Sequence, residues 1–272
     1  MKIIRNILDL NKAIKDFKNF GFVPTMGGIH QGHISLIKKS QKNCKKTIVS
    51  IFVNPTQFND NNDFKKYPRN LKIDIKILKK IKVDFLFIPN VREIYKKKIK
   101  NFKLYKNDKI LCVNHRKGHF EGVLNIMNRL LNVIKAKYVF LGEKDYQQLF
   151  LIKKYLGKKY QFKIINCITV RDKNKVALST RIKLLNKKNY YKVSLISKYL
   201  LKLKRELSIN ISRYNLSLLI KQNIKKLEDL YKIKIDYLEF RNEKNLNKFN
   251  KRGKYRLFIA YYLEKVRLID NY

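Results

Sequence analysis

The stretch VPTMGGIHQGH, residues 23–33, gathers two imidazoles, a proline and three of the chain's nine glycines into eleven residues. Bare backbone at Gly27 and Gly28 lets a polyphosphate approach main-chain N–H groups. A helix opening near Gly32 aims its unpaired N–H groups at the same anion. His30 and His33 add hydrogen-bond donors for charge that develops on phosphate oxygens. Taken alone, the H-x-x-H spacing also suits a surface turn or half of a metal pair, but no third or fourth ligand stands at recognisable spacing. Neither G-x-x-x-x-G-K-[ST] nor a helix-opening G-x-G-x-x-G is present, so the stretch reads as a nucleotide site of another kind.

Positioning such a turn requires a scaffold, and the flanking pattern supplies one. A short apolar run over Phe20–Pro24 precedes the glycines, HISLIKKS (33–40) has helical spacing, and TIVSIFV (47–53) is β-branched and aromatic. Strand, helix and strand within about 30 residues form a βαβ unit, so the two strands run parallel and end at one edge of the sheet. The alternation continues. NLKIDIKILKKI (70–81) puts Leu71, Ile75 and Leu78 on one helical face, VDFLFIP reads as a strand, and KILCV as an edge strand. A helix is expected from Glu121 to about Ala136, a strand at Tyr138–Leu141, a helix near Tyr146–Leu156, and a strand in KIINCITV. After about Asn186 the texture changes to two long amphipathic helices followed by strand-like IDYLEF, YRLFIAYYL and KVRLID. The expected fold is therefore α/β: a Rossmann-like parallel-sheet domain over 1–180 and a smaller α+β lid domain over 181–272.

In an open parallel sheet, ligands sit beyond the carboxyl ends of the strands. Thr25-Met26-Gly27-Gly28, Asn54 with Gln57, and Gly142-Glu143-Lys144-Asp145 all fall at such ends, and Ser179-Thr180-Arg181 follows a polar loop. Their convergence on one edge marks it as the place for chemistry.

Composition bounds the rest. The 272 residues are 45% hydrophobic, enough for a substantial core. No apolar run approaches the ~20 residues of a membrane span. The amphipathic start MKIIRNILDLNKAIKDF lacks a signal-peptide core, and Cys44, Cys112 and Cys167 are odd in number and far apart. They read as free thiols of a cytoplasmic protein. The formal charge of +44 invites a nucleic-acid reading, but the lysines run the full length of the chain, as a base-skewed genome would produce. No RNP-type motif, zinc-finger spacing or basic heptad accompanies them. Solvated surface lysine is the expectation, with no specific nucleic-acid partner.

These residues carry a resemblance. H-x-G-H after a first strand resembles the nucleotidyltransferase superfamily that includes class I aminoacyl-tRNA synthetases. VPTMGGIHQGHISLI, VSIFVNPTQF, YPR, GHFEGV, GEKDYQQL, ALSTR and VRLIDN together resemble one family within it, the pantothenate synthetases or pantoate–β-alanine ligases. The matching motifs run from Val23 to Asn271. The resemblance implies two steps with Mg2+-ATP: pantoate's carboxylate attacks the α-phosphate to give pantoyl adenylate, then β-alanine displaces AMP. It also implies a homodimer.

By resemblance, Met26, Gly27, Gly28, Ile29, His30, Gln31, Gly32 and His33 form the nucleotide turn, with His33 and His30 on the phosphates as catalytic donors. Gly142 and Asp145 would hold the ribose, flanking Glu143, and Lys144 would reach the phosphates. Val170 would lie against adenine. Leu178, Ser179, Thr180 and Arg181 match a second phosphate motif, at a junction where a lid closes. Gln57 and Gln148 match the pantoate contacts, Gln57 and more weakly Asn54 the β-alanine site, and Asn59–Lys66 a segment covering the cavity. The chain departs from the family at Ile182, where Asn is usual, at Lys175 near a usual glycine, at Gln31, often acidic, and at Lys117, often proline. The alternative is an H-x-G-H nucleotidyltransferase acting on another acceptor; uncharged Gln57 and Gln148 count against a phosphorylated one.

Overall fold

The computed structural model describes residues 1–58, 61–96, 99–210, 215–250 and 253–272, with backbone alone at Asn61, Asn62 and Asn210. The chain divides into two compact units, Met1–Val170 and Arg171–Tyr272.

The first unit runs β1 (Lys2–Ile4), α1 (Ile7–Ile14), β2 (Gly21–Thr25), α2 (Gln31–Asn43), β3 (Thr47–Ile51), α3 (Asn61–Lys66) and α4 (Leu71–Lys80). It continues with β4 (Phe85–Phe87), α5 (Val91–Tyr95), α6 (Cys112–His115), α7 (His119–Ile134), β5 (Tyr138–Gly142), α8 (Tyr146–Tyr160) and β6 (Lys163–Cys167). The strands form one sheet in the order β1-β4-β3-β2-β5-β6, every pairing parallel. Val23, Val49, Leu86 and Phe140 pack with Ile37 of α2 and Leu78 of α4 on one face. Their strand neighbours Phe22, Ile48, Phe87 and Val139 alternate to the other face and are just as buried. Both faces are covered, which is why these strands read as continuous apolar runs.

One expected strand is absent. KILCV forms a turn and the start of α6, with Leu111 at φ +50°. The buried Gln147 amide donates to the Ile110 carbonyl at 2.7 Å and accepts from the Cys112 N–H at 3.0 Å. Those backbone groups are therefore committed and unavailable to a ladder. The sheet edge is instead β1, whose three residues are too few for a period to show in the sequence.

In the second unit, α9 (Lys187–Asn210) and α10 (Leu216–Tyr231) precede β7 (Lys234–Asn242), β8 (Tyr255–Leu263) and β9 (Val266–Asn271), an antiparallel sheet ordered β7-β8-β9. Ile196, Leu200 and Leu203 of α9 pack with Leu257 and Ile259 of β8. The segment after Val170 belongs here. The Arg171 guanidinium makes paired bonds of 2.8 and 2.9 Å to Asp270 and donates to the Asn271 carbonyl at 2.9 Å. The sequence reading placed the boundary at 180/181; the contacts divide the chain at 170/171.

The loop following Arg171 is tightly bonded. Asp172 accepts from the Asn174 and Val176 N–H groups at 2.8 and 3.1 Å, and its own N–H donates to the Val176 carbonyl at 3.0 Å. This turn forces Lys175 to φ +69°, a left-handed conformation. A Cβ in this region costs free energy that glycine avoids. Lys175→Gly should stabilise the protein by about 0.5–1 kcal/mol after the greater entropy of the unfolded glycine chain is subtracted. An unchanged or lower urea midpoint would contradict this.

Candidate active site

β2 ends at Thr25, and the chain turns through Gly27 at φ +80° and Gly28 at φ +63° before α2 begins. The turn is held from α4. The Gly28 N–H donates to Asp74 Oδ2 at 2.9 Å and the Ile29 N–H to Asp74 Oδ1 at 2.8 Å. Asp74 is only 3% exposed, and a Cβ on Gly27 would lie 2.9 Å from its Oδ2. Glycine is thus required twice at Gly27, for its φ and for the carboxylate packed beneath it.

Helix α2 is capped by the two histidines. His30 Nδ1 accepts from the Gly32 N–H at 3.1 Å, and His33 Nδ1 accepts from the His30 N–H at 3.4 Å. The reciprocal capping box brings the rings to 4.1 Å between centroids. Because a backbone N–H only donates, both Nδ1 atoms act as acceptors and the neutral rings carry their protons on Nε2. Two Nε2–H donors thereby flank the helix N-terminus, as anion stabilisation requires. Met26, His30, Gly32 and His33 are half-buried, Ile29 is buried, and Gln31 is exposed.

At the end of β3, Asn54 caps the turn Pro55–Gln57 and is nearly inaccessible. Asn54 Oδ1 accepts from the Tyr95 hydroxyl at 2.7 Å and from the Thr56 hydroxyl at 3.1 Å. Its Nδ2 donates to the Gly122 carbonyl at 3.1 Å and to Gln57 Oε1 at 3.3 Å. Asn54 is thereby occupied on both ends of its amide and orients Gln57. The Gln57 Nε2 then faces the turn after β2 and donates to Met26 Sδ at 2.7 Å. Thioether sulfur is a weak acceptor, so a carboxylate or carbonyl oxygen placed there would gain by replacing it.

The third strand end carries Gly142, the one-turn helix Glu143–Asp145, and then α8. Lys144 Nζ lies 3.8 Å from Asp145 Oδ1, with the lysine side chain largely covered and Asp145 exposed. Gln148 is half-buried on α8, while its neighbour Gln147 is the one committed to the Ile110 and Cys112 backbone. Val170 closes the first unit, half-buried.

Within the second unit, Leu178 is half-buried, Ser179 Oγ accepts from the Arg181 N–H at 3.2 Å, and Thr180 is buried. Ile182 packs against this unit's apolar core, giving a physical setting to its replacement of the usual Asn. The expected cover segment Asn59–Lys66 begins outside the described residues at 59–60, and its remainder forms α3.

Burial pushes the Cys167 thiol, at the end of β6, up to about 11, which disfavours a thiolate nucleophile. Among the described residues no three His, Cys, Asp or Glu side chains gather as a metal cage.

Asp74 is the residue that motif reading passed over. Its signal is a carboxylate at the helical spacing of Leu71, Ile75 and Leu78, on the apolar face of α4. Asp74→Asn offers a donor where two N–H groups need acceptors. It should cost about 1–3 kcal/mol of stability and, by loosening the turn, weaken ATP binding. Urea unfolding and calorimetric titration check both, and two unchanged values would show that the turn is held without it.

Comparisons with known proteins place the chain in a family. The family model described as pantoate–β-alanine ligase matches residues 2–272. A pantothenate synthetase of Endomicrobium trichonymphae is 42% identical over 279 residues, covering 100% of this chain and 97% of the relative. One from Buchnera aphidicola subsp. Schizaphis graminum is 42% identical over 284 residues, covering 100% and 98%. Among solved structures, the pantoate–β-alanine ligase of Francisella tularensis, complexed with β-γ ATP and β-alanine, superposes with a TM-score of 0.84 at 36% identity, covering 100% and 97%. The pantothenate synthetase of Thermus thermophilus superposes with a TM-score of 0.92 at 27% identity, covering 100% and 99%. With its whole length matched in sequence, fold and motif order, the chain belongs to the pantoate–β-alanine ligase family.

Proposed function

We propose that the protein joins pantoate to β-alanine with ATP through a pantoyl-adenylate intermediate. The observation that carries this reading is the contact of Gln57 with Met26, which sets an uncharged oxygen-binding amide directly against the nucleotide turn. A carboxylate held by Gln57 then lies beside phosphates received by the His30 and His33 rings, because the N–H groups of Gly27, Gly28, Ile29, His30 and Gly32 are already given to Thr25, Asp74, His33 and His30. Gln148 is assigned to the same substrate.

In the first step a pantoate carboxylate oxygen attacks the α-phosphorus, the bond to the bridging oxygen breaks, and pyrophosphate leaves. In the second, the β-alanine amine attacks the acyl carbon, loses a proton, and AMP departs with the bonding pair. Neither step needs an enzyme nucleophile. Positioning and charge neutralisation dominate, as in phosphoryl transfer generally. His30 and His33 supply Nε2–H donors as charge develops, and Lys144 supplies a point charge. Gly142 and Asp145 serve the ribose, and Val170 the adenine. Leu178, Ser179, Thr180 and Arg181 form the second phosphate motif, and Asn59–Lys66 excludes water from the adenylate; these roles rest on the sequence match. Mg2+ would accompany the nucleotide and supply charge neutralisation at its phosphates, a setting in which that ion needs few protein ligands. A homodimer working in the cytoplasm completes the reading, on the strength of the sequence match. Among the described residues no helix is long and apolar enough to cross a membrane.

Purified protein with Mg2+-ATP should release AMP in step with pantothenate only when pantoate and β-alanine are both present. AMP release that ignores pantoate would instead support transfer to another acceptor. His33→Ala should lower turnover by about 10²–10³, the cost of one transition-state donor, and a near-wild-type rate would remove His33 from the mechanism. Gln57→Ala should raise the pantoate KM and leave ATP binding almost intact; an equal loss of both would misplace the substrate.

A further inference from the structure

The segment GHFEGV carries two residues with no part in the chemistry above, His119 and Gly122. His119 is buried in the first turn of α7. Its Nδ1 lies 2.6 Å from the Gln57 carbonyl oxygen and its Nε2 lies 2.9 Å from the Arg116 guanidinium. A carbonyl only accepts and a guanidinium only donates, so the ring is neutral with its proton on Nδ1. This is the tautomer opposite to that of His30 and His33.

One turn further along, Gly122 brings α7 against the same loop. A Cβ there would stand 2.4 Å from the Thr56 carbonyl oxygen and 2.9 Å from Gln57 Cα. The Gly122 carbonyl also receives the Asn54 amide, whose other bond goes to Gln57 Oε1. Gln57 is therefore held at its backbone by His119, at its side chain by Asn54, and sterically by the bare face of α7.

We propose that His119 is a positioning residue for pantoate: by donating Nδ1–H to the Gln57 carbonyl it sets the direction of the Gln57 amide, and Arg116 selects the tautomer that allows this. The inference rests on the reading of Gln57 as the pantoate contact. A misplacement of about 1 Å in a substrate-positioning group costs about 10²-fold, so one backbone hydrogen bond has enough leverage to matter.

The test compares His119→Phe, which loses the donor, with His119→Asn, whose Nδ2 falls near the place of Nδ1. His119→Phe should raise the pantoate KM about 10- to 100-fold with the ATP KM within about twofold of wild type. His119→Asn should return the pantoate KM to within about threefold of wild type. In the substrate-free protein, amide deuterium exchange over residues 54–58 should quicken about tenfold or more in His119→Phe and stay near wild type in His119→Asn. Should His119→Phe not fold, Arg116→Met frees the tautomer without touching the core. It should raise the pantoate KM at least about threefold and spare the ATP KM. Equal rises in both KM values, an unchanged pantoate KM, or no rescue by His119→Asn at a wild-type unfolding midpoint would each overturn the proposal. If the wild-type protein makes no pantothenate, the functional reading fails separately. Exchange at 54–58 then still decides the positioning role, and unchanged rates in the variant that folds would overturn it.

Discussion

A buried carboxylate reaching across from α4 to two successive N–H groups is the interaction on which the site depends. The bonds from Gly28 and Ile29 to Asp74 join one from the Gly27 N–H to Thr25 Oγ1 on β2, at 3.2 Å, in holding a left-handed glycine pair at the end of that strand. That turn sets where α2 begins, and the start of α2 sets where His30 and His33 stand. It also presents Met26 to Gln57. One carboxylate thus aligns the two histidines with the Gln57 amide, and its burial keeps the two bonds strong.

Three histidines show how backbone bonding sets side-chain chemistry. His30 and His33 accept through Nδ1 and so carry their proton on Nε2. His119 donates through Nδ1 and accepts from Arg116, so both ring nitrogens serve the fold. Residue type is the same in all three; the role is decided by which nitrogen meets a carbonyl and which meets an N–H.

The extreme basicity has a structural counterpart. With 64 basic and 20 acidic residues, several acids stand at buried, fully bonded positions. Asp74 holds the Gly27–Gly28 turn, Asp108 accepts from Lys154 and Tyr155, and Asp270 pairs with Arg171. Exposed lysines are left to solvent, where long side chains cost little and bind weakly. Lys175 belongs to that exposed set, yet its backbone adopts a left-handed conformation that favours glycine.

Much of this was legible in the sequence because its causes are local. Alternating apolar runs specified a parallel sheet, and a parallel sheet necessarily delivers Gly27, Gln57 and Gly142 to one edge. The family was legible from the whole series of motifs rather than from the His30 and His33 spacing alone, which suits several purposes. The edge strand β1 was not legible, being too short for a period, and KILCV misled because its backbone partners lie on Gln147. The parts played by Asp74 and His119 emerged only from tertiary structure. Asp74 bonds to a residue 46 positions away and His119 to one 62 positions away. Periodicity reports which face a residue occupies, whereas a hydrogen bond across such distances exists only once packing has brought two elements together.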